Sequence, residues 1–370
     1  MSELLHPRVA VPTRALAYVV ARDREGGSYA RTVAIKSVRL YRQHRWQLSP
    51  RRLLARGALI DRPIFLLGLP GSGATLIGRC LRRNQQVVSM TGCSSYWTGG
   101  DEMGVTRDRM RALPRSLWGN RWRADVDRGT FEEWQPFASD ELLPFHRRTA
   151  ADATAEDSAR LRRCLRRQIA VYARDRRAAR FLDKTHAYTV KVSLIGALLE
   201  DAAPFFVLVL RNPYSACPWI ARRKPYVARR PLAYEEQLEL VAQEWANSCQ
   251  AVLDDAAGVP QVFAVRFEDF VARPQDTVAA LCQQLELDFD RDMVPRPGQA
   301  LPFATLPTDR KWYPLYEDRP LDRLGSSEVE IVERRCRRLA ARFDYSPRAS
   351  LVRAEPVEPL SLPALASLRS

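Results

Sequence analysis

Between Pro63 and Ile77 the chain reads Pro-Ile-Phe-Leu-Leu-Gly-Leu-Pro-Gly-Ser-Gly-Ala-Thr-Leu-Ile: an apolar run, a glycine-rich turn, then the opening of a helix. Few architectures accept that order. An apolar run without a polar face suits a strand covered on both sides, as in a parallel sheet between helical layers. A glycine-rich turn into a helix directs backbone N–H groups and the positive end of a helix dipole at one point, where a phosphate or sulfate can dock. Ser72 and Thr75 are side chains suited to cap that helix. Nucleoside triphosphate hydrolases need a Lys after the last glycine of such a loop, and this chain has Ala74 there, so that activity is not expected.

Two further segments carry chemistry. Phe205-Phe206-Val207-Leu208-Val209-Leu210 reads as a second buried parallel strand, closed by Arg211-Asn212-Pro213. An arginine at that point must leave the core for water or for an anion, and its planar fork can hold phosphate in two places. The magnesium-holding Asp of a nucleotide hydrolase is absent from this strand end. Upstream, Phe181-Leu182-Asp183 is a strand end followed by Lys184-Thr185-His186. A histidine is suited to take a proton near neutral pH, and a lysine beside it can steady negative charge. Strands and helices alternate along the chain, with helices expected over 157–177, 190–200, 235–253 and 326–343. The expected fold class is therefore α/β: three layers, with a central mainly parallel sheet flanked by helices.

Together these segments resemble the sulfotransferase superfamily, whose opening motif runs roughly Gly-x-Pro-(Lys/Arg)-Ser-Gly-Thr-Thr. Gly68, Pro70, Ser72, Gly73 and Thr75 match in register, while Gly71 stands at the basic position and Ala74 at a hydroxyl position. The resemblance implies a nucleotide-binding loop of the P-loop kind. Its donor would be 3'-phosphoadenosine 5'-phosphosulfate, gripped by Pro70, Gly71, Ser72, Gly73, Ala74 and Thr75 mainly through main-chain donors. On this pattern a basic side chain at position 71 would tighten donor binding.

The resemblance also implies roles for single residues. Lys184-Thr185-His186 is similar to the catalytic segment of cytosolic sulfotransferases, with His186 as general base and Lys184 steadying charge at the transferring group. Some members use an acidic base, which makes Asp101 and Glu102, in the loop after the second strand, alternative candidates. Arg211-Asn212-Pro213 is similar to the signature in which the arginine binds the 3' phosphate; the serine expected eight residues later is Trp219 here, and Ser215 is the candidate substitute. Arg310 and Lys311 would belong to a late basic loop closing over that phosphate. The strand ending Arg266-Phe267-Glu268-Asp269-Phe270 resembles a late family strand with a structural role.

Composition sets the limits. The 370 residues, 46% of them hydrophobic, suffice for one large domain with additions. The expected division is a helical N-terminal extension over 1–60, the sulfotransferase-like domain over 61–345 with a lid or acceptor insert over 103–150, and a Pro-rich extended or disordered tail over 346–370. No run reaches the ~18 apolar residues of a membrane span, and Arg14, Arg22, Asp23, Arg24 and Glu25 interrupt any signal-peptide core, so a cytoplasmic protein without membrane partners is expected. Seven dispersed cysteines indicate neither a disulfide framework nor a metal site.

The net charge of +15 attracts anions, nucleic acid included, but no nucleic-acid-binding motif accompanies it. The expected partner is instead a small acceptor: a hydroxylated small molecule, sugar or secondary metabolite. Two rival readings stand beside sulfuryl transfer. One is a scaffold that keeps the fold without using the donor; the other is a kinase-like phosphoryl transferase.

Overall fold

The computed structural model describes residues 49–89, 113–117, 137–223, 232–294, 324–347 and 359–367. Six strands form one sheet: β1 (Ile64–Leu67), β2 (Val87–Val88), β3 (Arg180–Lys184), β4 (Phe205–Leu210), β5 (Val262–Arg266) and β6 (Leu360–Ser361), in the order β2-β3-β1-β4-β5-β6. All neighbours are parallel except β5 and β6. The α-helices of six or more residues among the described residues are α1 (Ala74–Leu81), α2 (Ala155–Tyr172), α3 (Val192–Leu198), α4 (Pro213–Arg223), α5 (Tyr234–Ala256), α6 (Phe267–Ala272), α7 (Pro274–Gln284), α8 (Ser326–Arg342) and α9 (Leu362–Ser367).

Strand alternation explains the three layers. Phe65, Leu67, Phe206, Leu208 and Leu210 enter one core, which Leu161, Ile195, Cys217, Trp245 and Leu339 of α2, α3, α4, α5 and α8 complete. Ile64, Leu66, Phe205, Val207 and Val209 point the other way, into a core with Ile77 of α1, Phe270 of α6 and Leu281 of α7. Successive residues on a strand face opposite sides of the sheet, so an unbroken apolar run is what a strand with helices on both faces requires.

Parallel pairing also gathers the site. β1 lies between β3 and β4, with Leu66 level with Lys184 and Leu67 level with Leu208. Consequently the glycine-rich loop after β1, the Lys184-Thr185-His186 segment after β3 and Arg211 after β4 all leave the same edge of the sheet. The chain visits β3 and β4 on opposite sides of β1, and that reversal makes a crevice at the strand ends.

Several expectations shift. The helix expected to reach residue 177 stops at Tyr172, where Ala173 turns extended (φ −68°, ψ 143°). Within the expected lid, Leu113 and Leu117 are buried in the main core, and Phe137 packs with Ala187, Val190 and Ala251. Of the N-terminal extension, Pro50–Gly57 is a 3-10 helix capped by Ser49. The C-terminal tail is not free along its length: Leu360 and Ser361 pair antiparallel with Ala264 and Phe263, and Leu362 is fully buried. The open edge of β5 supplies the partner groups that a two-residue strand cannot signal by itself.

The turn that carries His186 is anchored from behind. Asp255 of α5 accepts from both Nη1 and Nη2 of Arg147, at 2.8 and 2.6 Å, and from Ser193 N and Oγ at 3.0 and 2.6 Å. Arg147 Nη1 also donates to Val190 O at 3.0 Å. Asp255 is 5% exposed, so Asp255→Ala would strand several donors at once. It is expected to lower the unfolding free energy by about 3 kcal/mol, read as a shift of the urea midpoint.

Candidate active site

The glycine-rich loop owes its shape to backbone positions only glycine takes easily: Gly68, Gly71 and Gly73 have φ of 132°, 97° and 94°. The N-cap of α1 is Gly73 itself, in the left-handed region, with no side-chain hydrogen bond. Neither Ser72 nor Thr75 supplies the expected cap. Ser72 turns its hydroxyl beneath the loop instead: a Cβ at Gly68 would stand 2.7 Å from Ser72 Oγ, and this oxygen is buried without a partner among the described residues. It borders a cavity of about 10 Å³, also lined by Ser248, Leu208 and Arg211. What the loop offers an anion is thus main chain, the N–H groups at the start of α1. Pro70 sits in the turn that Ser72 N closes on Leu69 O at 3.0 Å.

His186 begins a 3-10 turn (His186–Val190) directly after β3. Its Nδ1 donates to Gly68 O; a carbonyl can only accept, so Nδ1 carries the proton and Nε2 the lone pair. Lys184 Nζ donates to that Nε2 at 3.1 Å. The other backbone group of Gly68 is engaged from the same turn: Gly68 N donates to Thr189 Oγ1 at 3.3 Å, and Thr189 Oγ1 donates to His186 O at 2.6 Å. One glycine therefore ties the loop to the histidine turn through both of its peptide groups. Lys184 is 2% exposed while His186 is half-buried.

Arg211 completes the group from the β4 side. It is 8% exposed, and its Nη1 donates to Gly71 O at 3.3 Å. Its guanidinium lies 5.6 Å from the ring centre of Trp219 and 5.3 Å from that of Phe267. The neighbouring residues hold the frame. Asn212 Oδ1 accepts from Tyr214 N at 3.0 Å, capping α4, which Pro213 opens. Asn212 N donates to Glu268 Oε1 at 2.7 Å, and Tyr345 OH donates to Glu268 Oε2 at 2.8 Å. Ser215, the candidate substitute for the missing serine, bonds its hydroxyl to Asn212 O at 3.2 Å within its own helix start.

The structure thus brings together the loop, Lys184, His186 and Arg211, with Ser215 one turn away along α4. Asp101, Glu102, Arg310 and Lys311 lie outside the described residues. Two contributors escaped the sequence reading, Thr189 and the ring of Phe267, and Trp219 reads there only as a missing serine. Only Thr189 left a signal, its place three residues after His186, which is the spacing of a side chain bonding back along a turn.

The thiols stand apart from this chemistry. The six described cysteines are all buried, and burial pushes Cys80 up to about 12 and Cys164 up to about 11, far from the thiolate a nucleophile needs. No described helix is long and apolar enough to cross a membrane.

No curated protein sequence matches the chain. Among solved structures, similarity extends to the sulfotransferase domain from the curacin biosynthetic pathway, at 17% identity over 78% of this chain and 99% of that one, with a TM-score of 0.41. Sulfotransferase STF1 from Mycobacterium tuberculosis H37Rv is 14% identical over 76% of this chain and 84% of its own, TM-score 0.42. Sulfotransferase STF9 from Mycobacterium avium is 12% identical over 91% and 92%, TM-score 0.46. The sequence model of the sulfotransferase family matches residues 63–291, more than half of the chain and every segment described above from β1 to the end of α7, so this protein belongs to the sulfotransferase family.

Proposed function

We propose that this sulfotransferase takes its sulfuryl group from 3'-phosphoadenosine 5'-phosphosulfate and passes it to a hydroxyl of a small-molecule, sugar or secondary-metabolite acceptor. One observation carries the reading: the loop that can cradle an anion is bonded at Gly68 to the His186 turn and at Gly71 to Arg211. A base, two cations and a set of main-chain donors therefore converge on one loop, residues 68–75. The loop has no room for side chains at its glycines, as a site for close approach of a phosphosulfate requires.

The donor supplies an activated sulfur attached to a good leaving phosphate. The protein positions and neutralises. His186 Nε2 takes the hydroxyl proton while the new O–S bond forms and the S–O bond to the departing phosphate breaks. Lys184 must leave Nε2 for that to happen, and the negative charge growing on the leaving oxygen is where its ammonium is drawn. The loop N–H groups hold the 5' end, and Arg211 the 3' phosphate.

Titration calorimetry with 3'-phosphoadenosine 5'-phosphate is expected to show one site per chain, unaffected by magnesium. A mass-spectrometric screen of hydroxylated compounds should then reveal a gain of roughly 80 daltons, the sulfuryl group moved in such a transfer. A folded protein that fails to bind the bisphosphate supports the scaffold reading, which Gly71, Ala74 and Trp219 motivate as losses of polar groups from the family pattern.

A further inference from the structure

Two departures from the family pattern, Gly71 for a basic residue and Trp219 for a serine, occupy the same space. A Cβ built at Gly71 would lie 2.9 Å from Trp219 Cζ3 and 3.2 Å from Ile220 Cγ1, on a backbone with φ of 97°. The indole therefore covers the face of the loop from which a side chain at position 71 would project. With the indole in that place Gly71→Arg is instead expected to weaken the site, because it must push the ring aside and strain the loop.

The same indole has a second contact. It lies under the Arg211 guanidinium, with the Phe267 ring on the same cation and Gly71 O accepting from Nη1. An arginine side chain free in water gives up rotamer freedom when it grasps an anion; one already held by aromatic faces has given it up beforehand. Half-buried Trp219 is well placed to do this, since the attraction between a cation and a ring grows as water is withdrawn.

We propose that Trp219 is a positioning residue that holds Arg211 ready for a 3'-phosphorylated nucleotide, in place of the direct polar contact that a serine at position 219 would make. The inference rests on the donor reading above, in which Arg211 takes the 3' phosphate. It implies that Trp219 matters for one phosphate and not for the whole ligand.

Calorimetry on wild type, Trp219→Phe, Trp219→Leu and Trp219→Ser, each with 3'-phosphoadenosine 5'-phosphate and with adenosine 5'-monophosphate, separates the possibilities. Trp219→Leu is expected to bind the bisphosphate about tenfold more weakly, a loss of the size of one partly desolvated cation–ring contact, and Trp219→Ser to lose less than Trp219→Leu because it restores the family's hydroxyl. Their affinity for the monophosphate should stay within about twofold, and Trp219→Phe should restore most of the selectivity. Trp219→Leu keeps apolar bulk against Gly71, so it tests the ring face even where the serine variant is too unstable to measure. Equal losses on both ligands would reduce Trp219 to a prop for the loop, and unchanged bisphosphate affinity in the leucine variant would remove the proposal altogether. Wild type that binds neither nucleotide would overturn the donor reading first, a result distinct from either.

Discussion

His186→Ala is expected to reduce turnover by roughly two to four orders of magnitude, the usual worth of a positioned general base, while affinity for 3'-phosphoadenosine 5'-phosphate is retained. The alanine variant removes two things, because His186 both presents Nε2 and ties Gly68 O through Nδ1. His186→Asn separates them: the asparagine amide reaches about where Nδ1 sits and can donate to the same carbonyl, but it offers no nitrogen that can be protonated. Both variants should lose the same factor in kcat if proton removal is the role. If alanine loses nucleotide affinity and asparagine does not, the ring's contribution is the anchor. Turnover near wild type in both would move the base to Asp101 or Glu102, and Asp101→Asn and Glu102→Gln would be the next enzymes to assay.

The parts of this site that could be read from the sequence are those encoded locally. Ile64–Leu67 and Phe205–Leu210 are apolar at every position, which only a doubly covered strand explains, and parallel strands put their carboxyl ends on one edge whatever lies between them. From that follows the meeting of Gly68, Lys184 and Arg211. The sequence could not show what sits on the glycines. Trp219 reads as a lost polar contact because its effect depends on α4 bringing the indole onto a loop far away in the chain. Ser72 reads as a cap because its burial beneath Gly68 is decided by the φ of its neighbours, not by its own preference. Leu360 reads as tail because the donors and acceptors that order it belong to β5.

This dependence of the loop on its neighbours makes the second large effect predictable. A Cβ at Gly73 would lie 2.9 Å from Phe267 Cγ and run into Cδ2 and Cε2 of the same ring, on a backbone with φ of 94°. Phe267 has nowhere to retreat: it is 2% exposed, packs against Phe270 with centroids 6.2 Å apart, and carries the Arg211 guanidinium on its face. Gly73→Ala is therefore expected to cost about 3–5 kcal/mol, strain at positive φ added to overpacking. The same change should abolish nucleotide binding, because both the α1 start and Arg211 move with the ring. Gly57→Ala, where a Cβ meets nothing within 4 Å, serves as the control and should change neither. Phe267→Ala combined with Gly73→Ala should recover part of the stability, since the collision is gone, but not the binding, since Arg211 has lost its support. Full nucleotide affinity in Gly73→Ala would mean that the anion is held without this loop, and the assignment of residues 68–75 as the donor cradle would have to be abandoned.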